Sequence, residues 1–184
     1  MSLLEYTLDG AIDKEKQSIE RIRTFDPISN GFQDEPYYVA YSGGKDSDVL
    51  RILFELSGVK YDLYHNHTTA DAPETVRYVR SIPNIHINYP EISMWDLIVK
   101  KKIPPTRMIR YCCEYLKENG GTDRFVSTGV RWSESAKRSK RGSLEISGKT
   151  VRSAIILNAD NTENRKLIEF CQTKSKRLLN PIID

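Results

Sequence analysis

The chain has 184 residues, of which 39% are hydrophobic and 29% are charged, with 10 glycines and 8 prolines. This ordinary composition excludes collagen-like, coiled-coil and disordered proteins, and a chain of this length is expected to fold as one domain with a substantial core. No apolar run approaches the roughly 18 residues of a membrane span, and the first residues lack the layout of a signal peptide. Three cysteines make no disulfide framework, so the chain is expected to be cytoplasmic.

The net charge of +3 is distributed unevenly along the chain. Residues 131–177 contain 12 Lys and Arg against 5 Asp and Glu. A basic segment of this kind is typical of proteins with an anionic partner, which can be nucleotide phosphate or nucleic acid. The alternative is a solvated basic surface, and composition alone favours that alternative.

The first predicted element is a polar helix over residues 8–24, with a narrow apolar stripe, followed by a loop that ends near residue 34. Short apolar runs then predict strands, and runs with apolar residues at helical spacing predict helices. The strands are predicted at 37–41, 61–64, 84–88 and 125–128, and the helices at 49–56, 73–80, 94–101 and 107–118. Asp71 is predicted to cap the helix that Pro73 opens.

Strands that alternate with helices predict an α/β fold with a doubly wound, mostly parallel sheet covered by helices on both faces. Beyond residue 138 the pattern changes, because two β-type runs, 144–147 and 150–153, flank the hairpin signal Gly148-Lys149. Residues 139–164 are therefore predicted to form an exposed excursion of the same domain, followed by a last helix at 165–173. The sequence contains no repeat and no linker, so residues 1–184 are predicted to form a single domain.

The strongest chemical signal is the glycine loop, which we define as residues 42–47 between the first buried strand and its helix. It reads Ser42-Gly43-Gly44-Lys45-Asp46-Ser47. Two glycines let the backbone approach an anion, and the unpaired N–H groups and dipole of the following helix favour negative charge. The serines add hydroxyl groups and the lysine adds a mobile positive charge. The loop matches neither the Walker pattern nor the dinucleotide-binding pattern; the alternative is a tight turn with an ordinary helix cap.

The glycine loop resembles the PP-loop of adenine-nucleotide alpha-hydrolase-like enzymes, which bind the phosphates of ATP or adenylyl-sulfate. Further stretches resemble one branch of that superfamily, the phosphoadenosine phosphosulfate (PAPS) reductase family. Residues 73–75 are similar to its P-E-T, residues 110–117 to its R-x-C-C-x-x-L-K and residues 129–138 to its G-x-R-x-x-E-S-x-x-R. The matches occur in the family's order over residues 37–138, and the final Asn-Pro-Ile-Ile-Asp is also similar.

The resemblance implies a five-stranded, mostly parallel sheet with the nucleotide lying across the strand ends. It implies that the glycine loop, Gly129, Arg131 and Glu134 bind the nucleotide. It also implies that Lys45, Arg131 and Arg138 act as catalytic cations near the phosphate or sulfate. The planar fork of arginine independently suits such oxyanions.

The function implied by the resemblance is an oxidoreductase or transferase of sulfur metabolism that binds ATP, adenylyl-sulfate or PAPS. Such an enzyme reduces a sulfonate, with a thiol reductant such as thioredoxin, or adenylates a substrate. One alternative is an ATP-dependent sulfurtransferase-like protein that acts on nucleic acid or a small molecule. Another is a non-catalytic nucleotide- or nucleic-acid-binding remnant. The oligomeric state is left open, and no membrane partner is expected.

Three departures from the family bear on reduction. His67-Thr68-Thr69 stands where relatives often have Asp-Thr-Gly, and no cysteine follows Cys171 as the tail nucleophile does in reductases. A [4Fe–4S] cluster normally takes four thiolates, whereas this chain has three cysteines. Cys112 and Cys113 are therefore either small core residues or iron–sulfur ligands completed by further cysteines. Because relatives continue beyond the final motif, the chain is expected to be a C-terminally truncated member.

Two histidines and an aspartate form a last candidate site. His65 and His67 lie on one side of a strand end, and Asp71 follows closely in sequence. A metal site is one interpretation, but no fourth ligand is evident. An ordinary loop at the end of the strand is the favoured interpretation.

Overall fold

The structure is a computed structural model that describes residues 4–7, 10–106, 108–117, 120–136, 138–147, 155–157 and 176–184. The strands are β1 (Leu4–Thr7), β2 (Gly10–Asp13), β3 (Tyr37–Ala40), β4 (Tyr61–Asn66), β5 (Ile85–Asn88), β6 (Phe125–Ser127), β7 (Leu144–Ser147), β8 (Ile155–Leu157) and β9 (Lys176–Leu179). The α-helices are α1 (Lys14–Thr24), α2 (Lys45–Ser57), α3 (Pro73–Ser81), α4 (Met94–Lys101) and α5 (Tyr111–Leu116). Two single-turn 3₁₀ helices follow β6, at Trp132–Glu134 and Arg138–Lys140.

The main sheet has the strand order β5-β4-β3-β6-β9-β7-β8. Each neighbouring pair from β5 to β9 is parallel, whereas β7 is antiparallel to both β9 and β8. The predicted α/β fold with a mostly parallel sheet is thus confirmed. The sheet has seven strands instead of five, because the antiparallel pair β7–β8 extends the five parallel ones.

The prediction of an exposed excursion is wrong for β7. Leu144 and Ile146 are fully buried against the core, because β7 pairs with β9 along the sheet. The predicted two-residue hairpin turn is also wrong, since the residue opposite Ile146 is Ile155. Most of the connection between these strands, and the helix predicted at 165–173, lie outside the described residues.

The N-terminal helix is shorter than predicted. Residues 10–13 pair with residues 4–7 as a small antiparallel ribbon, so the helix cannot begin at residue 8. The helix α1 starts at Lys14 because the Asp13 carboxylate accepts a hydrogen bond from the Lys16 backbone N–H at 3.2 Å, which satisfies one unpaired donor of the first turn.

Two other predicted helix boundaries differ from the structure. Within the helix predicted at 107–118, the described residues are helical only over 111–116, which form α5. Asp71 is not a helix cap: the N-cap of α3 is Ala72, while Asp71 accepts the Thr68 backbone N–H at 2.7 Å. The side chain of Asp71 therefore organises the loop before the helix and leaves the helix end to Pro73, which needs no N–H partner.

The core lies between the sheet and the helices α1 and α2. The helix α2 buries Leu50, Leu53 and Phe54, which share one face because of their helical spacing. The Phe54 ring meets Tyr37 edge-on with centroids 5.1 Å apart, and Tyr37 meets Phe125 at 5.3 Å. These contacts fix the position of β3 and of the loop that follows it. Within the described part of the chain, no helix has the length and apolar character needed to cross a bilayer.

Candidate functional site

The sheet has a topological switch point between β3 and β6. From β3 the chain moves outward to β4 and β5, and it then returns to β6 on the other side of β3. The connections after β3 and β6 therefore diverge and leave a crevice at the carboxyl ends of these two strands, where open α/β sheets bind ligands. The glycine loop follows β3, and residues 128–131 follow β6. The structure thus brings the two strongest sequence motifs together at this crevice.

The glycine loop is held in shape by its own serines. Ser47 is buried, and its hydroxyl accepts the Gly44 N–H at 3.0 Å and donates to the Gly44 carbonyl at 2.7 Å. Ser42 donates to the Ser47 hydroxyl at 3.3 Å. Gly43 adopts a φ of +79°, a backbone conformation that residues other than glycine rarely adopt. The Ser47 hydroxyl thus shapes the loop, and its contact with phosphate stays a prediction.

The first turn of α2 presents unused donors to the crevice. Among the described residues, the backbone N–H groups of Lys45 and Asp46 make no hydrogen bond, as expected for the first turn of a helix. The Lys45 side chain is exposed and makes no ion pair within the described chain. An anion at this position would therefore gain two N–H donors, the positive end of the helix dipole and a mobile ammonium group.

The opposite wall of the crevice is formed by the connection that follows β6. Gly129 packs so tightly that a Cβ there would lie 3.0 Å from the Asp46 backbone oxygen. Arg131 reaches across and pairs with the Asp46 carboxylate at 3.0 Å. The two walls touch through a glycine and an ion pair, so the guanidinium of Arg131 lies beside the glycine loop.

Comparison with known proteins shows the family of the chain. The family model described as the phosphoadenosine phosphosulfate reductase domain matches residues 36–180, which include the whole main sheet and both walls of the crevice. The chain belongs to the phosphoadenosine phosphosulfate reductase domain family. No curated protein matches the chain.

The family's G-x-R-x-x-E-S-x-x-R segment folds back on itself in this chain. The Glu134 carboxylate accepts the Arg131 backbone N–H at 2.8 Å and also pairs with the Arg138 guanidinium. Glu134 thus holds one arginine by its backbone and the other by its side chain. The structure supports a positioning role for Glu134, because its oxygens are turned toward these two partners.

The C-terminal motif of this PAPS reductase family member, residues 180–184, contacts the connection that follows β6. Asn180 is fully buried; its side chain donates to the Gly142 carbonyl at 2.8 Å and accepts from the Thr128 hydroxyl. The Trp132 backbone N–H donates to the Ile183 carbonyl at 2.8 Å. The resemblance of the C-terminal motif to the family does not reveal these contacts, because the partner residues are distant in the sequence.

Another residue that sequence reasoning missed is Asp48 in the first turn of α2. Its carboxylate accepts hydrogen bonds from the hydroxyl of Tyr41, which directly follows β3, and from that of Tyr78 on α3. Burial raises the pKa of Tyr41 above the ordinary tyrosine value, and the hydrogen bond to Asp48 raises it further. An acidic residue in the first turn of a helix was the available signal, but it looked like an ordinary dipole partner.

The cysteine pair of this family member lies beside a small apolar cluster, and its role as a pair of iron–sulfur ligands stays a prediction. Cys112 packs against the small cluster of Leu97, Tyr111 and Leu116, and burial, with the neighbouring Cys113, raises the pKa of its thiol. Cys113 accepts a hydrogen bond from the Arg110 guanidinium at 3.4 Å. The structure therefore supports the core interpretation for Cys112.

Proposed function

We propose that this chain is an enzyme that binds the phosphate groups of an adenine nucleotide in the crevice between β3 and β6. The observation that supports it is the convergence of the unpaired N–H groups of Lys45 and Asp46 with two cations, Lys45 and Arg131, at the switch point of the sheet. Fixed donors and cations stabilise charge that develops on phosphate or sulfonate oxygens during a displacement. The nucleotide is ATP, adenylyl-sulfate or PAPS, in keeping with the family.

The proposed chemistry is attack by a nucleophile at the bond that the crevice polarises. In a sulfated nucleotide a thiolate of a reductant such as thioredoxin attacks sulfur, the S–O bond breaks and the nucleotide phosphate leaves. The second thiol of the reductant then attacks the thiol sulfur of this S-sulfonate, which forms a disulfide and releases sulfite. In ATP the attacked atom is the α-phosphorus, and pyrophosphate leaves. Both reactions place negative charge on the leaving group, which Lys45 and Arg131 can neutralise.

The alternative of nucleic-acid binding by the basic segment has less support. Three arginines after β6 each have an acidic partner: Arg131 pairs with Asp46, Arg138 with Glu134 and Arg141 with Glu145. Glu134 and Glu145 lie within the basic segment and are already counted against its positive charge, so only Asp46 lowers the charge of this face further. The nucleic-acid alternative therefore depends on the charge count of the sequence alone.

The binding proposal is tested by titrating the purified chain with ATP, adenylyl-sulfate and PAPS. We expect Lys45→Ala to weaken binding of the preferred nucleotide about tenfold, because it removes a charge-assisted contact with phosphate. Lys60→Ala is the matched control. Lys60 is also exposed, but it precedes β4 and so lies at the amino ends of the strands, away from the crevice. Equal affinity of the wild type and Lys45→Ala would show that the glycine loop does not hold the phosphates.

The reaction is identified separately by two assays on the same protein. Release of sulfite from PAPS or adenylyl-sulfate in the presence of reduced thioredoxin supports reduction. Exchange of labelled pyrophosphate into ATP supports adenylation. Nucleotide binding with neither activity, whatever thiol reductant or acceptor is supplied, would leave a binding protein and contradict the enzyme proposal.

A further inference from the structure

A cluster of nitrogen and oxygen donors lies at the end of β4. His65 is within the strand, His67 directly follows it, and Asp71 precedes α3. One donor atom from each of these three residues lies within 4.8 Å of the other two. The tight turn that brings them together is closed by the Thr68 backbone N–H, which donates to the Asp71 carboxylate at 2.7 Å.

The His65 ring is buried and held by a hydrogen bond to the backbone. The residue is only 4% exposed, and its Nδ1 lies 3.0 Å from the Tyr41 carbonyl oxygen. A carbonyl oxygen can only accept a hydrogen bond, so Nδ1 carries the proton. The other ring nitrogen, Nε2, is buried and has no hydrogen-bond partner among the described residues. A buried nitrogen of this kind is destabilising unless something binds it.

The other two members of the cluster are also ready to act as ligands. The Nδ1 atom of His67 lies 3.3 Å from the Asp71 carboxylate, and the His67 ring meets Tyr89 edge-on at 5.4 Å, which restricts its rotation. The Thr68 backbone N–H, which donates to the Asp71 carboxylate, sets the orientation of that carboxylate.

We propose that His65, His67 and Asp71 bind a divalent transition-metal ion, with Zn²⁺ as the representative ion. Two imidazole nitrogens and one carboxylate oxygen form the donor set that such ions prefer, whereas Mg²⁺ prefers oxygen ligands alone. Donor atoms of a tetrahedral zinc site lie about 3.3 Å apart, so the present separations close by small side-chain rotations. Three protein ligands leave one coordination position for water or a substrate oxygen.

The surroundings of the cluster also match those of metal ligands. A metal-bound histidine usually donates its second ring N–H to a carbonyl or carboxylate, which fixes the ring and increases its basicity. Here that carbonyl belongs to Tyr41, the residue immediately before the glycine loop. An ion on Nε2 would thus be linked through one imidazole to the start of the loop. The metal site does not depend on the proposed nucleotide binding.

The experiment is a titration of untagged, chelator-treated full chain with Zn²⁺ by calorimetry, without nucleotide. We expect one ion per chain, and a loss of affinity greater than about tenfold in His67→Asn and in Asp71→Asn. Asn at position 71 can still accept the Thr68 N–H, so that variant preserves the turn. His86→Asn is the matched control, because His86 is the third histidine, exposed on the neighbouring β5 and outside the cluster.

Thiols are the main competing ligands, and Co²⁺ distinguishes them. We expect Co²⁺ to give the visible absorption of a nitrogen- and oxygen-ligated site without a thiolate charge-transfer band, and the same result in a Cys112→Ser, Cys113→Ser variant. Far-UV circular dichroism of each variant in chelator verifies the fold. The proposal is overturned if Zn²⁺ does not bind, if His86→Asn weakens binding as much as His67→Asn, or if binding is lost only in the cysteine variant.

Discussion

Gly43 is the residue whose identity the glycine loop needs most. Its φ of +79° lies in the left-handed region, and a Cβ would lie 3.0 Å from the Val79 side chain and 3.1 Å from that of Thr75. A residue with a side chain would therefore meet both a backbone penalty and an unusually tight contact with two side chains of α3. The pair of glycines that the sequence offered as an anion loop has a structural reason in addition to a chemical one.

We expect Gly43→Ala to lower the free energy of unfolding by about 1–2 kcal/mol from the backbone alone and to weaken nucleotide binding. The reason for the weaker binding is that the loop or the α3 side chains must shift by a few tenths of an ångström to accommodate the methyl group. Urea unfolding and nucleotide titration measure the two effects.

Gly58→Ala is the control for this substitution. Gly58 has a φ of +71° at the end of α2, but a Cβ there would have nothing within 4 Å. This variant should lose similar stability and keep full nucleotide affinity. Unchanged affinity in Gly43→Ala would contradict the proposed role of the loop.

At the scale of elements, the decisive contact joins the connection after β6 to the start of α2. Arg131 and Asp46 form the ion pair of that contact at 3.0 Å, and both side chains remain partly exposed. An incoming phosphate competes with Asp46 for the Arg131 guanidinium, because both are anions that fit its fork. The pair therefore sets how freely Arg131 can bind a ligand.

We expect Asp46→Asn to bind the nucleotide about 2–5-fold more tightly than the wild type, which corresponds to the energy of a partly exposed ion pair. The gain should shrink as salt is added, since exposed charges are screened. Titration at two salt concentrations measures both effects.

Glu55→Gln is the matched control, because Glu55 also pairs with an arginine on α2, at the end of the helix remote from the loop. Its affinity should equal that of the wild type. Weaker binding by Asp46→Asn would show that the carboxylate itself contributes to the bound state, and the competition argument would fail.

At the scale of the whole molecule, residues 180–184 connect the sheet to the N-terminal helix. The Pro181 carbonyl accepts hydrogen bonds from Ser18 and from the buried Arg21, at 3.1 and 2.9 Å. The Arg21 guanidinium also pairs with the Asp184 carboxylate at 2.6 Å. The segment after β9 thus anchors α1, whose other face packs on α2 and supports the core under the glycine loop.

The pair between Arg21 and Asp184 predicts a loss of stability in acid. Burial would raise the pKa of Asp184, but the hydrogen bond and charge of Arg21, aided by Lys14, lower it below the ordinary 3.8. Because the folded chain ionises this carboxyl more readily than the unfolded chain, the pair stabilises the fold above pH 3.8. That contribution is lost as the pH falls from 3.8 through the lower pKa of the folded state.

We expect Asp184→Asn to be less stable than the wild type at neutral pH and nearly equal to it in strong acid. Urea midpoints measured across this pH range provide the comparison. Asp34→Asn is the control, since Asp34 is exposed and makes no ion pair among the described residues. A constant difference between wild type and Asp184→Asn at every pH would rule out the ionic explanation.

The sequence by itself determined the local features of this protein. Strand and helix periodicity located β3 to β6 and α2 to α4, because burial of alternate or helically spaced side chains is written into consecutive residues. The glycine loop was recognisable for the same reason, since two glycines, a lysine and a following helix lie within six positions, 42–47. Family membership followed from motifs of this local kind.

Only the tertiary structure decided which partners these residues meet. It paired Arg131 with Asp46, and it used the buried Asn180 to tie the loop after β6 to the start of β7. It also placed β7 inside the sheet and brought His65 to the loop of Asp71. These contacts join residues on different elements, and their energies depend on distances and burial that arise only when the strands are placed in order.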